Sequence, residues 1–131
     1  MTAETAITAG RRFAEARMTS TCIITRTTEQ PLDEDTLRYP ETVTTVYTGP
    51  CKVRFETARV FNRDVAGQIV GEQLPILFLP VDTSAGVNRG DIATITGNPE
   101  DPSLVGVRIR VNGQHAQTWA TARRLPAEIV T

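Results

Sequence analysis

The chain is poor in the residues from which reactive centres are built. It has one histidine, His115, in 131 residues, which excludes any metal site that needs two. No serine or cysteine nucleophile is placed beside it, so His115 is expected as an exposed residue following a turn, not as part of a triad. The phosphate-cradling patterns GxxxxGK[ST] and GxGxxG are absent. No catalytic residue, cofactor or metal is therefore expected. The two cysteines, Cys22 and Cys51, each fall in a predicted strand and read as small buried hydrophobes ahead of a disulfide or a metal site. Aromatic residues make up 5% of the chain and do not cluster on one strand face, which argues against a base-stacking or sugar-stacking platform. A formal charge of −1 gives no global pull towards nucleic acid or anionic membrane. No apolar run approaches the length of a membrane span, and the first residues lack the apolar centre of a signal peptide. The chain is expected to be made in the cytosol.

What is present is β-pattern. The length suits a single domain, residues 1–131, with a real core. The organising stretch is residues 82–124. Gly90-Asp91 opens a strand over 92–96, and Gly97-Asn98-Pro99 closes it. Residues 105–111 alternate, with Val105, Val107, Ile109 and Val111 on one face and Gly106, Arg108 and Arg110 on the other. Asn112-Gly113 predicts a tight hairpin, with Trp119 in the returning strand. Asp91 reads as a turn residue bonding its own backbone, and the adhesion tripeptide Arg89-Gly90-Asp91 as a strand start.

Earlier in the chain, residues 2–17 have helical character within an arm over 1–18. Glu4 lies near its start, and Arg11, Arg12 and Arg17 lie towards its end. Ile7, Ala14 and Met18 share a stripe with Phe13 beside it. The helix either packs over the sheet or docks on a neighbouring subunit. Strands are predicted over 20–26, 43–48, 51–55 and 72–79, with a turn at Gly49-Pro50. In the third of these, Cys51, Val53 and Phe55 face inward and Lys52 and Arg54 outward. Leu125-Pro126 is expected to break a seventh strand, and 127–130 to add a short edge strand. Two long loops are expected, a polar one over 28–42 and an apolar-containing one over 56–71. The fold class is mainly β: a small antiparallel barrel or sandwich of about seven strands with an N-terminal helix. Val53, Phe55, Val107, Ile109 and Trp119 are expected in its core.

One charge asymmetry stands out. Residues 28–42 hold Glu29, Asp33, Glu34, Asp35 and Glu41 against the single Arg38, without the spacing of a calcium loop. Residues 103–126 hold Arg108, Arg110, Arg123 and Arg124 and no acid. A basic strand face and an acidic loop on one small protein suit head-to-tail contacts between identical subunits. The subunit-interface candidates are Arg11, Arg12, Phe13, Asp33, Glu34, Asp35, Arg108, Arg110, Arg123 and Arg124.

The order of features resembles the head closure, or head-to-tail stopper, proteins of long-tailed phages, in particular those of actinobacteria. The matching residues are GRRFAEARMTSTCIITR, GPCKVRF, the long loop ending in Gly71-Glu72, QLPILFLPVDT, VNRGDIATITG, LVGVRIRVNG and ATARRLP. Together they run from about Gly10 to Leu125. The acidic stretch 28–42 has no counterpart in the pattern. The resemblance implies a virion structural protein of the neck, made in the host cytoplasm, whose small barrels form a ring, a hexamer or alternatively a dodecamer. That ring meets the portal-side adaptor on one side and the tail terminator or tail tube on the other. It closes the channel over packaged double-stranded DNA and does not engage a membrane. In relatives a long loop between barrel strands forms the plug. By position the match here is 56–71, with Arg59, Val60, Phe61, Asn62, Arg63, Val65 and Gln68 as candidates. The two arginines suit DNA phosphate, and the apolar members suit packing against symmetry mates. The rival within the same class is a tail terminator or tail completion protein at the head-proximal end of the tail.

Overall fold

A computed structural model describes residues 2–60, 70–113 and 120–130, with the backbone alone described at 56–60 and 70–73. The elements are a helix α1 (Ala3–Ala16) and strands β1 (Ser20–Glu29), β2 (Glu41–Val60), β3 (Val70–Leu79), β4 (Ile92–Gly97), β5 (Arg108–Val111) and β6 (Arg123–Val130). A 3-10 turn at Pro102–Leu104 precedes β5. Every strand pairing is antiparallel, and the order β1-β2-β3-β6-β5-β4 closes on itself into a barrel. Closure runs through β2 and β6, each of which pairs with one neighbour along part of its length and with the other along the rest.

Period-two alternation fills the interior. Cys22 and Ile24 of β1, Tyr47 and Cys51 of β2, Leu77 and Leu79 of β3, Ala93 and Ile95 of β4, Ile109 and Val111 of β5, and Leu125 and Ala127 of β6 form one buried cluster. Each large member contributes about 1.5–3 kcal/mol by leaving water. Cys22 and Cys51 are both buried and unbridged, as small hydrophobes would be. The Cys22 thiol is held well above its ordinary pKa by its hydrogen bond to Cys51 and by burial.

Six strands are found among the described residues where about seven are expected, and proline explains the difference. The expected turn at Gly49-Pro50 does not exist: β2 runs straight through it, pairing Cys22 with Gly49 and Thr21 with Pro50. The expected break at Leu125-Pro126 is likewise continuous strand. Both prolines sit where a strand changes partner. β2 is paired with β1 up to Cys51 and with β3 from Lys52. β6 is paired with β3 up to Pro126 and with β5 from Ala127. A missing N–H at such a handover removes no ladder bond. Pro75 obeys the same rule, one residue beyond the β6 pairing. Gly49 supplies the bend, at φ +153°, and Val46 is bulged out between the Ile24–Tyr47 and Thr25–Thr45 pairs.

Other expectations fail locally. β5 begins at Arg108, not 105, because Asp101 caps the 3-10 turn through Ser103 and Gly106 takes φ +88°; Val105 is consequently exposed. Asn112-Gly113 does not form a tight hairpin. Neither residue has positive φ, and the Asn112 N–H instead bonds the Pro126 carbonyl. Ile109 is buried and Val53 and Val107 are half-buried against the core, but Phe55 is 40% exposed. Trp119 and His115 lie outside the described residues.

The helix is capped by the Thr2 side chain, which accepts from the Thr5 N–H. It rests on the chain's own 120–122 segment: Arg11 donates to the Ala120 carbonyl (3.1 Å), and Gly10 leaves room for Thr121, whose methyl would lie 2.8 Å from an added Cβ. None of its residues is fully buried, so it lies along the barrel without entering the core.

Candidate functional site

Two features of the barrel rise above an ordinary surface, and they lie at opposite ends of the β1-paired half of β2. The first is the β1–β2 hairpin. β4 pairs with β1 only as far as Thr25, so from Arg26 outward β1 and β2 are bonded to each other alone. The expected polar loop 28–42 is therefore ribbon only at its two ends, paired out to Glu29–Glu41. Beyond that, Gln30 bonds Pro40, and Asp33 and Arg38 form a bridge. The Asp35 N–H bonds the Asp33 carboxylate in an Asx turn. Leu37 is held at φ +56°, an uncommon conformation for leucine, and is 76% exposed. Leu32, Tyr39 and Val43 are exposed as well. The hairpin thus presents apolar side chains among carboxylates. Among the described residues, none of those carboxylates has an ion-pair partner. Nor do Asp33, Glu34 and Asp35 converge as a group able to hold a metal ion.

The second feature is a groove of about 310 Å³ between α1 and the outer face of the β2–β3–β6 wall. Register sets Lys52, Phe78 and Arg124 in one transverse row on that face. The Lys52 ammonium lies 5.3 Å and the Arg124 guanidinium 5.7 Å from the Phe78 ring centre. Across the groove, Arg17 stacks on Phe13 at 4.4 Å, and Phe13 is 63% exposed. Two aromatic walls are thus rimmed by three cations that, among the described residues, pair with no carboxylate.

The other interface candidates separate by what they touch. Arg11 holds Ala120 and, at 3.4 Å, Asp82. Arg123 donates to the buried Ser84 hydroxyl (2.9 Å) and to the Val81 carbonyl, pinning the 80–84 turn to the barrel end. Arg110 pairs with Glu128 at 3.0 Å beside it on the outer face, and Arg108 points outward. Arg12 is exposed on the helix. The basic face is therefore centred on Arg17, Lys52 and Arg124, and of the sequence candidates only Arg124 and Phe13 belong to it.

The expected plug loop 56–71 is likewise not all loop. Glu56–Val60 pairs with Val70–Leu74 as a two-stranded ribbon, in register Arg59–Gly71 and Val60–Val70. β6 covers β3 only from Ile76, so this ribbon extends past the barrel. That departure also explains the exposed Phe55: its inward row has run out of opposite wall. Phe61, Asn62, Arg63, Val65 and Gln68 lie outside the described residues.

A further pair closes one end of the barrel. Arg26 extends the inward row of Cys22 and Ile24, and Asp91 extends that of Ala93 and Ile95. They meet in a two-pronged ion pair, Nε–Oδ1 and Nη2–Oδ2 both at 2.9 Å, with Asp91 2% exposed. Asp91 also accepts from the Asn88 N–H, the expected turn role, and Arg26 reaches the Gly86 carbonyl. The carboxylate raises the Arg26 pKa further. A charged residue at the end of an otherwise apolar inward row of two adjacent strands was the readable signal for this pair.

A model of the family of unknown function DUF6093 matches residues 10–128, and the chain belongs to that family. No curated protein matches the chain.

Proposed function

We propose that this DUF6093 chain is a structural protein of the phage neck, a head-to-tail stopper whose barrels form a ring that closes the DNA channel and docks the tail. The observation that carries the reading is the β2–β3 ribbon at 56–60 and 70–74. It leaves the barrel where the resemblance puts the plug, on a closed barrel with a peripheral helix. A ribbon is a stiffer projection than an irregular loop, and in a ring of copies such ribbons meet near the axis. Arg59 and Arg63 supply charge for DNA phosphate there, and Val60, Phe61 and Val65 supply packing between copies. The partners in this reading are further copies of the chain, the portal-side adaptor, the tail terminator and the packaged DNA.

Deleting 59–68 tests it. Ala58 pairs with Glu72, so the ends already meet and a short link of three residues rejoins them at little cost. The shortened protein keeps its melting temperature, and capsids carrying it fill with DNA and then lose it before tails attach. Filled heads that stay sealed but fail to join tails contradict the plug and favour a tail-completion protein.

A further inference from the structure

We infer that the acidic β1–β2 hairpin of one copy seats in the basic aromatic groove of the next, with Leu37 between Phe13 and Phe78. This rests on the ring reading and specifies its contact. Three observations support it. Each surface offers what the other lacks: exposed leucine amid carboxylates with no ion-pair partner among the described residues, against open aromatic walls amid cations that pair with no carboxylate among them. The hairpin is built, not slack, because its ladder and Asx turn fix the tip on which Leu37 takes its uncommon backbone angle. And a chain cannot fill its own groove. Between Glu41 and Lys52 the strand rises about 36 Å at roughly 3.3 Å per residue, away from the tip. The two patches are different surfaces of one chain, so the contact is head-to-tail and repeats until a ring closes or a filament grows. Asp33, Glu34 and Asp35 then face Arg17, Lys52 and Arg124, and a polar rim surrounds an apolar centre.

The full-length chain with Thr36→Cys and Ala14→Cys, one at the hairpin tip and one in the groove, tests the contact under mild oxidation. The native cysteines are buried, so cross-links report the engineered pair. The double variant is expected to give a ladder of disulfide-linked multimers, and an equal mixture of the two single variants only a dimer joining one of each. Reversing Lys52→Glu and Arg124→Glu lowers the yield about tenfold or more. Adding Asp33→Lys and Asp35→Lys to the same chain restores it, which a merely misfolded variant would not do. No ladder up to about 1 mM protein, or a ladder indifferent to charge reversal, overturns the contact. Rings seen by electron microscopy without the cross-link overturn the contact and leave the ring reading standing. Cross-linked filaments that never close keep the contact and count against the ring.

Discussion

Within the β1–β2 pair, the same alternation of side chains buries residues at one end and exposes them at the other. At the barrel end Ser20, Cys22, Ile24, Tyr47 and Cys51 are buried, flanked by β4 on one side and facing an opposite wall. Past Thr25 the partner strand and the wall are gone, and Val43 is 63% exposed although it is as β-prone as its neighbours. Strand pattern alone therefore does not specify core: a third strand and a facing wall do. The ribbon at the other end of β2 repeats the lesson with Phe55.

Equal truncations at the two ends of the β1–β2 pair should have very unequal effects. Ile24→Ala should cost about 2–5 kcal/mol, because a fully buried site leaves a cavity. Val43→Ala in the hairpin should cost under about 0.5 kcal/mol. Urea unfolding monitored by far-UV circular dichroism reads both. Comparable losses would mean that the hairpin is packed on something in the free protein.

The Arg26–Asp91 pair marks the boundary between the two regions, and its halves should differ. Arg26→Ala leaves a carboxylate stranded at 2% exposure and should be clearly destabilising, though less so than breaking a fully buried pair because the guanidinium side is 37% exposed. Asp91→Asn keeps the Asn88 contact and leaves a cation that water can reach, so it should cost less than Arg26→Ala. The reverse order in the same urea series would contradict the assignment of Asp91 as the buried member.

Tyr47 sharpens the boundary through pH. Burial, then the neighbouring thiols, push its pKa up to about 12, while its hydroxyl donates to the Pro50 carbonyl. The unfolded phenol ionises near the ordinary value of ~10. Folding therefore keeps its full Tyr47 contribution below about pH 10 and loses it as pH rises towards 12. Denaturation midpoints at about pH 9 and 11.5 should fall further for the wild type than for Tyr47→Phe. Parallel falls would place that hydroxyl in water.

The smallest effect lies under the helix. Gly10→Ala gains up to about 1 kcal/mol of helix propensity but drives a methyl against Thr121. Alone it should be near neutral, and combined with Thr121→Ser, which removes the clashing methyl, it should raise the melting temperature. Additive behaviour of the two changes would show that the helix does not rest on that residue.

Part of the barrel was legible in the sequence: the inward faces of Cys22 and Ile24, of Cys51 and Val53, and of Val107, Ile109 and Val111 follow from alternation. What misled was punctuation. Pro50 and Pro126 look like strand ends, yet each occupies a handover between partners, a property of the pairing and not of the local sequence. The acidic stretch is a loop as expected except at its ends, where Thr28-Glu29 and Glu41-Thr42 extend the ribbon by a pairing that polar residues do not reveal. The basic aromatic groove was only half visible, since Lys52, Phe78 and Arg124 come together through register across three strands. Arg123, one residue from Arg124, faces the other side and clasps Ser84 and Val81.

A reconstruction of the virion neck fine enough to trace strands tests whether these barrels form the stopper ring. A stopper should appear there as a ring of these six-stranded barrels between portal and tail, each β2–β3 ribbon directed at the axis and each β1–β2 hairpin lying on the α1 groove of the next copy. Barrels seated on the tail tube, or a neck ring built of another fold, would contradict that reading.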